Sequence, residues 1–215
     1  RTRLLNVASA SKPDDKNAKG GGAANSAAGG KEAEDKTASQ LKEFSAAVVF
    51  VIDSTISMDP YIDRTREAIR KVYQKIEAQN LGKQVKFGLV AFRSNTQAVP
   101  GLEYTTKMYA DPTKVKDSAD FFAKIADLKQ ASVSSSSFDE DSFAGVMESI
   151  DKVDWNQFGA RYVVLITDAG AIEGDDKLSK TGLSAAQVRM EAANPGVAIY
   201  TLHLKTPAGA KDHAK

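Results

Sequence analysis

The amino-acid sequence predicts an α/β fold: a doubly wound, mostly parallel sheet with helices on both faces and one antiparallel edge strand. Two patterns lead to this prediction. Continuous apolar runs rich in β-branched residues are typical of strands that are covered on both faces of a parallel sheet. These runs alternate with segments whose apolar residues recur at helical spacing, which is the order of βαβ units. The 215 residues suffice for one such domain and a tail.

The strands are predicted from two kinds of pattern. Apolar runs predict buried strands at 46–52, 85–92, 162–167 and 197–204. Polar and aromatic residues alternate over 102–110, as expected of an exposed edge strand.

Helices are predicted between these strands, where apolar residues return every three to four positions. The pattern covers 61–79, 113–130, 142–153 and 185–193. Gly82 follows the first of these segments, at a place where a helix C-terminus favours glycine. Trp155 and Phe158 lie near a connecting loop and are expected to pack in the core.

The composition divides the chain into three parts. Residues 1–8 contain a short apolar run that predicts an edge strand or the last strand of a preceding domain. Residues 9–40 contain no aromatic residue and no Leu, Ile or Val, which predicts a flexible linker. Residues 41–215 form the predicted domain. No apolar run follows its last strand, so we expect the protein to continue past Lys215 or residues 4–8 to pair at the free sheet edge.

Charge and residue content exclude several classes of function. The net charge of +1 provides no bulk attraction for nucleic acid or an anionic membrane surface. The absence of cysteine excludes a disulfide scaffold, a thiolate zinc site and a cysteine nucleophile. No stretch approaches the roughly 20 apolar residues of a membrane helix. Two histidines leave little room for catalysis by a histidine base.

Ligands of such sheets bind beyond the carboxyl ends of the strands. Three loops rich in polar residues are expected to lie at that edge. Asp53 to Ser57 end the first strand, Asp168 ends the fourth, and a run of serines and acids at 134–141 precedes a helix. These loops hold carboxylates and hydroxyls without histidine, cysteine or lysine. Oxygen ligands of this kind predict a hard divalent cation, magnesium or alternatively manganese or calcium.

The first of these loops carries a recognisable motif. Asp53-x-Thr55-x-Ser57, placed between a strand and a helix, resembles the D-x-T/S-x-S motif of the metal-ion-dependent adhesion site in von Willebrand factor A domains. Asp168 and the Ala-Gly-Val at 144–146 agree with that family in order and spacing, and the resemblance covers about residues 44–205. It implies a metal held by these residues and a coordination position that a carboxylate of a protein partner completes.

One position departs from the family pattern. Five residues before Gly145, where a third loop normally brings a threonine hydroxyl, this chain has Glu140, flanked by Asp139 and Asp141. An alternative alignment places a serine of 134–137 there instead. An acidic residue near the ion is expected to tighten metal binding and to reduce the affinity for an acidic partner.

The same residues also have structural interpretations. Asp53, Thr55 and Ser57 are residue types that cap helix N-termini, and Asp168 in Asp-Ala-Gly is typical of a turn. The acidic run 139–141 suits a solvated first turn of a helix.

Further resemblance suggests a biological setting. VFVIDSTISMDPYI, FGLVAFRSN and YTLHLKTP are similar to the A domain of bacterial transmembrane serine/threonine kinases associated with type VI secretion. This similarity implies a periplasmic, non-enzymatic binding module whose kinase domain lies outside the chain. The alternative is a metal-dependent hydrolase or phosphatase that uses the same acidic loops. Thr55 stands where such an enzyme would need a second carboxylate.

Overall fold

The computed structural model describes residues 45–135 and 137–210. The predicted strand-like segment 1–8 and linker 9–40 lie outside the described residues. So does the end of the predicted domain, residues 211–215.

The described residues contain a five-stranded sheet in the order β3-β2-β1-β4-β5. The strands are β1 (Ala46–Asp53), β2 (Val85–Phe92), β3 (Thr106–Ala110), β4 (Ala160–Thr167) and β5 (Ala198–His203). Strand β1 runs parallel to β2 and β4, and β4 runs parallel to β5. Strand β3 is antiparallel to β2. The predicted mostly parallel sheet with one antiparallel edge strand is therefore confirmed.

Helices cover both faces of this sheet. They are α1 (Asp59–Ala78), α2 (Ser118–Lys124), α3 (Ser142–Lys152) and α4 (Ala185–Ala193), with short 3-10 turns at Ile56–Met58 and Trp155–Gln157. On one face, α1 and α2 pack on Phe50, Ile52 and Phe87. On the other face, α3 and α4 pack on Val49 and Val51. Alternate residues of β1 thus belong to two separate cores, because successive side chains point to opposite faces.

Several predicted boundaries differ from the structure. The helix predicted at 113–130 forms only over α2, and the strand predicted at 102–110 begins at Thr106. Helix α1 ends at Ala78, and Asn80 rather than Gly82 takes the left-handed conformation, with φ 60°, after the helix end.

The overlong helix prediction has an identifiable cause. Asp111 accepts hydrogen bonds from the backbone and hydroxyl of Thr113, which favours a turn over a helix at that point. Asp117 then caps α2 by accepting from the backbone of Asp120 at 2.9 Å. Val115 and Leu128 are nevertheless buried, although both lie outside the helix. The apolar spacing therefore reflects burial rather than helical hydrogen bonding.

Helix α3 lies unusually close to the sheet because its fourth residue is Gly145. A Cβ atom there would lie 2.8 Å from Phe92 Cδ1 and 2.8 Å from Val51 Cγ1. The predicted core positions of Trp155 and Phe158 are confirmed, since both are buried beside this helix's end. The close approach fixes the height of α3 above β1 and β2.

Strand β5 pairs with β4 alone among the strands that the structure describes. Its side chains Tyr200 and Leu202 are about half exposed. None of the helices within 45–135 and 137–210 combines the length and apolar character needed to cross a bilayer.

Candidate metal centre

Asp53 lies at the carboxyl end of the central strand β1 and is fully buried. Its Oδ1 accepts hydrogen bonds from the Thr55 backbone at 2.9 Å and from the Thr55 hydroxyl at 2.6 Å. Its Oδ2 accepts from the Thr167 hydroxyl at 2.8 Å. One oxygen is therefore held by the loop that follows β1, and the other by Thr167 at the end of the neighbouring strand β4.

Asp168 follows β4 and is held in a similar way. Its Oδ1 accepts a hydrogen bond from the Ser57 hydroxyl at 3.0 Å. Its Oδ2 accepts from the hydroxyl of Thr206, which lies beyond β5, at 2.6 Å. Asp168 is fully buried in the bend that directly follows β4.

The two hydroxyls between these carboxylates lie side by side. Thr55 Oγ1 and Ser57 Oγ are 3.2 Å apart. A hydroxyl carries one proton and two lone pairs, and here each proton is donated to a carboxylate, Asp53 for Thr55 and Asp168 for Ser57. Lone pairs of two adjacent oxygens therefore remain for a shared cation.

The capping interpretation of this loop is also wrong. No side chain caps the 3-10 turn at Ile56–Met58, and the residue before α1 is Met58, which has no capping side chain. The hydroxyls of Thr55 and Ser57 bind carboxylates instead of the backbone of α1.

Glu140 enters the same region from the third loop. Its backbone forms an isolated parallel bridge with Ala171, just after Asp168, through hydrogen bonds to Gly170 and Ile172 of 3.0 Å each. Ser135 donates its hydroxyl to Glu140 Oε1, while Oε2 is buried without a hydrogen-bond partner. A cavity of about 460 Å³ is lined by Thr55, Ile56, Ser57, Ser134, Ser135, Ser137, Phe138, Glu140 and Ala208. The third loop thus faces the two hydroxyls.

The acids beside Glu140 have other environments. Asp141 is the N-cap of α3 and also accepts a hydrogen bond from the Lys180 backbone at 2.7 Å. It is fully buried, so the expected solvated helix start is wrong. Asp139 lies against Gly170, and its buried Oδ1 lacks a hydrogen-bond partner.

Burial makes the charged forms of these carboxyl groups costly. It raises the pKa of Asp53 to about 6, although hydrogen bonds from Thr55 and Thr167 oppose the shift. Burial, followed by the nearby charge of Asp53, raises the pKa of Glu140 to about 9. Burial also raises the pKa of Asp141. Without a cation, the pKa of Glu140 therefore favours its protonated form at neutral pH.

The donor set fits a hard divalent cation. Within 45–135 and 137–210, no Lys, Arg or His forms an ion pair with Asp53, Glu140 or Asp168. Buried charges are normally paired or coordinate metals. Neighbouring ligands of an octahedral magnesium ion, at about 2.1 Å from it, lie about 3 Å apart, close to the spacing of the two hydroxyl oxygens.

Carboxylates alone do not build this site. In the described part of the chain, no three Asp, Glu, His or Cys side chains come together as a group that could hold a metal. The hydroxyls of Thr55 and Ser57 are therefore essential donors in any cation site here.

Three residues that the sequence analysis missed support the loop. Thr167 and Thr206 anchor the two aspartates: Thr167 is the last residue of β4, and Thr206 lies beyond β5, at the sheet edge predicted to bind ligands. Arg93 is fully buried, stacks 4.1 Å from the Tyr104 ring centre and donates to the backbone and hydroxyl oxygens of Ser54. A charged residue directly after the apolar strand β2 was the available signal.

The raised pKa values predict that the metal-free domain loses stability as the pH rises. The folded state binds more protons than the unfolded chain from about pH 4 to 6 at Asp53 and up to about pH 9 at Glu140. The melting temperature in a chelator should therefore fall from pH 5 to pH 9. Glu140→Gln should flatten this fall, because the amide does not ionise. A melting temperature that rises over this range, or an unchanged slope in the variant, would contradict the assignment.

No protein-family model matches the sequence, and no curated protein matches it. The VWA domain of SpRpn10 is similar in structure, with a TM-score of 0.50 and 15% identity over 78% of this chain and 79% of that domain. A crystal form of the pilus adhesin SpaC from Lactobacillus rhamnosus GG has a TM-score of 0.53 and 12% identity over 74% of this chain.

The similar structures differ greatly in length. This chain spans 24% of that SpaC structure and 35% of proximal thread matrix protein 1 from the mussel byssus, whose TM-score is 0.47 at 15% identity over 73% of this chain. At such identities the likeness extends to the fold alone. Together with the observed sheet order, it shows that the described domain has a von Willebrand factor A-like α/β fold.

Proposed function

We propose that this domain is a metal-ion-dependent protein-binding module whose cation lies at the carboxyl edge of the sheet. The observation that supports it best is the pair of adjacent hydroxyls of Thr55 and Ser57. Each donates its proton to a buried aspartate and keeps its lone pairs for a cation. Neither of these two aspartates forms an ion pair with a Lys, Arg or His of the described residues.

The residues that would hold the cation are Asp53, Thr55, Ser57, Glu140 and Asp168. The hydroxyls bind it directly, and the aspartates bind it directly or through water. When bound, the ion supplies positive charge that offsets the buried carboxylates and a coordination position open to an oxygen ligand. Magnesium is the first candidate, with manganese and calcium as alternatives.

Binding is favoured over catalysis by the surroundings of the site. The lining of the 460 Å³ cavity includes hydroxyls, apolar groups and Glu140, but no described histidine or lysine that could assist a leaving group. A hydrolase or phosphatase remains the alternative function. Metal-dependent release of p-nitrophenol from p-nitrophenyl phosphate or acetate would favour that alternative.

The biological setting is proposed from sequence resemblance alone. In this setting the chain is the periplasmic part of a transmembrane serine/threonine kinase linked to type VI secretion. A pull-down from periplasmic extract, with and without a chelator, tests both the location and the metal dependence of the partner. Recovery of the same proteins with and without chelator would contradict metal-dependent binding.

Calorimetric titration of magnesium, manganese or calcium tests the metal site itself. We expect saturable binding to the wild type and at least about 10-fold weaker binding to Asp53→Ala, because loss of a ligand-orienting partner commonly costs 10–100-fold. Asp63→Ala is the matched control, since Asp63 is an exposed carboxylate on α1. Circular dichroism checks that each variant is folded. Equal affinities in wild type and folded Asp53→Ala would disprove the site.

A further inference from the structure

We infer that the groove between α1 and β5 is a protein-docking surface, which binds an amphipathic helix that carries acidic residues along one flank. The groove has a volume of about 320 Å³, and its walls are almost wholly apolar, formed mainly by Phe50, Ile69, Val72, Ile166, Leu202 and Leu204. None of the residues proposed for the metal centre lines it, so this inference does not depend on the proposed metal site.

The groove lies where one face of the sheet is incompletely covered. On this face, α1 and α2 pack over β1 and β2. The side chains of Tyr200 and Leu202 lie on the same face beside their β4 partners Val164 and Ile166, yet they are 52% and 54% exposed. Parallel sheets are normally covered by helices on both faces. In the part of the chain that the structure describes, the β5 end of this face has room for one more helix.

Exposed apolar side chains are concentrated at this place. Seven large apolar side chains are exposed in the described residues, and four of them border the groove or continue its sheet face: Val72, Tyr162, Tyr200 and Leu202. Val72 and Leu202 face each other across the groove from α1 and β5. The rings of Tyr162 and Tyr200 lie 6.2 Å apart and extend the patch along β4 and β5. Continuous apolar patches on a protein surface mark interaction sites.

The direction of the groove favours a helix as the occupant. Its α1 wall runs from Tyr61 to Val72, a length of about 16 Å at a rise of about 1.5 Å per residue. A helix of about three turns alongside α1 matches this length and places one apolar stripe in the groove. A strand added to the free edge of β5 would instead extend the plane of the sheet and leave the groove empty.

A row of basic side chains borders the groove on α1 and defines the charge of the occupant. Arg64, Lys71 and Lys75 are exposed, and their separations of seven and eleven residues from Arg64 bring them to within about 20° of one direction, beside the apolar Val72. Lys71 has a long ion pair with Glu67, at 3.8 Å. Among the described residues, Arg64 and Lys75 form no ion pair. Acidic residues on the facing flank of a bound helix would complement this row.

The test measures peptide binding to the intact chain by fluorescence anisotropy, in the presence of a chelator. The probe is a labelled helical peptide of about 14 residues with leucines along one face and glutamates along one flank. A second probe has lysine in place of each glutamate. We expect the glutamate probe to bind saturably and at least about 10-fold more tightly than the lysine probe. The ratio should fall as the salt concentration rises, because exposed charges are screened.

Substitutions at exposed positions locate the binding surface without disturbing the core. The double variant Val72→Gln/Leu202→Thr should bind the glutamate probe at least about 10-fold more weakly, since it removes apolar contacts from both walls of the groove. Arg64→Glu/Lys75→Glu should abolish the preference for the glutamate probe. Met190→Gln is the matched control, because Met190 is a 67% exposed apolar residue on α4 and lies outside the groove. Circular dichroism checks that each variant is folded.

Three results would overturn the inference. They are the absence of saturable binding by the glutamate probe, equal binding of the two probes, and equal affinities in Val72→Gln/Leu202→Thr and Met190→Gln. Light scattering of the chain alone distinguishes a further occupant. A dimer that is lost in Val72→Gln/Leu202→Thr would show that a second copy fills the groove, which also contradicts the inference. Because peptide binding is measured in a chelator, these failures are separate from a failure of the proposed metal site.

Discussion

Gly145→Val is expected to destabilise the domain by about 3 kcal/mol, at the upper end of the usual cost of overpacking a core. Even a Cβ atom would lie 2.8 Å from Phe92 and Val51, which are both fully buried and belong to the central strands. The backbone of α3 must therefore move away from the sheet. The small gain in helix propensity on replacing glycine does not offset this clash.

Chemical denaturation of the purified domain measures this effect, with the free energy of unfolding as the readout. Gly82→Ala is a suitable control, because the nearest atom to its new Cβ is the flexible Glu77 Cγ at 3.2 Å. The control should stay within about 0.5–1 kcal/mol of the wild type. A Gly145→Val protein as stable as the control would show that α3 is not confined as the structure indicates.

Arg93→Met is expected to have the second large effect, a loss of about 2–3 kcal/mol together with weaker metal binding. Arg93 is paired with Glu103, donates to the Lys129 carbonyl at 3.0 Å and holds the Ser54 carbonyl at 3.2 Å. Breaking a buried ion pair commonly costs about 3–5 kcal/mol, and the exposure of Glu103 reduces that figure here. Because Ser54 lies between Asp53 and Thr55, its displacement should also shift these two proposed metal-binding residues.

Two further variants separate charge from geometry at this position. Arg93→Lys keeps the positive charge but lacks the planar guanidinium with its several N–H donors. It should therefore be more stable than Arg93→Met and less stable than the wild type. Lys107→Met removes an exposed cation whose pair with Asp127 spans 3.7 Å, and should cost less than about 1 kcal/mol. Denaturation and manganese titration are measured on each variant. An Arg93→Met protein with the stability and metal affinity of Lys107→Met would rule out the anchoring role.

Several elements could be predicted closely because two local signals agree. Strand β2 matches its apolar run, and α4 matches its predicted bounds. Helix α4 also has a capping box, in which Ser184 and Gln187 satisfy each other's backbone groups. In the segment 113–130 the two signals disagree. The apolar spacing continues throughout, but Asp111 favours a turn and Asp117 caps a helix that begins only at Ser118.

The clustering of polar side chains at the carboxyl ends of β1 and β4 could be predicted for a similar reason. Asp53, Thr55 and Ser57 are close in sequence, and the rule for strand ends adds Asp168. The structure joins these residues by hydrogen bonds, including the bond between Ser57 and Asp168 across 111 positions. Which serine or acid of the third loop faces the hydroxyls was left open, and the cavity wall contains Glu140 together with Ser134, Ser135 and Ser137.

The sequence by itself determined the α/β class, the order of buried strands and helices, and the edge of the sheet where carboxylate and hydroxyl side chains meet. Each of these follows from the spacing of apolar and polar residues along a short stretch of chain. Only the tertiary structure decided that Thr206 donates a hydrogen bond to Asp168 and that Arg93 is buried against Ser54. It also decided that Glu140 Oε2 is buried without a hydrogen-bond partner. Burial and hydrogen-bond partners depend on segments that are far apart in the chain. Local sequence patterns do not predict which of these distant groups come into contact.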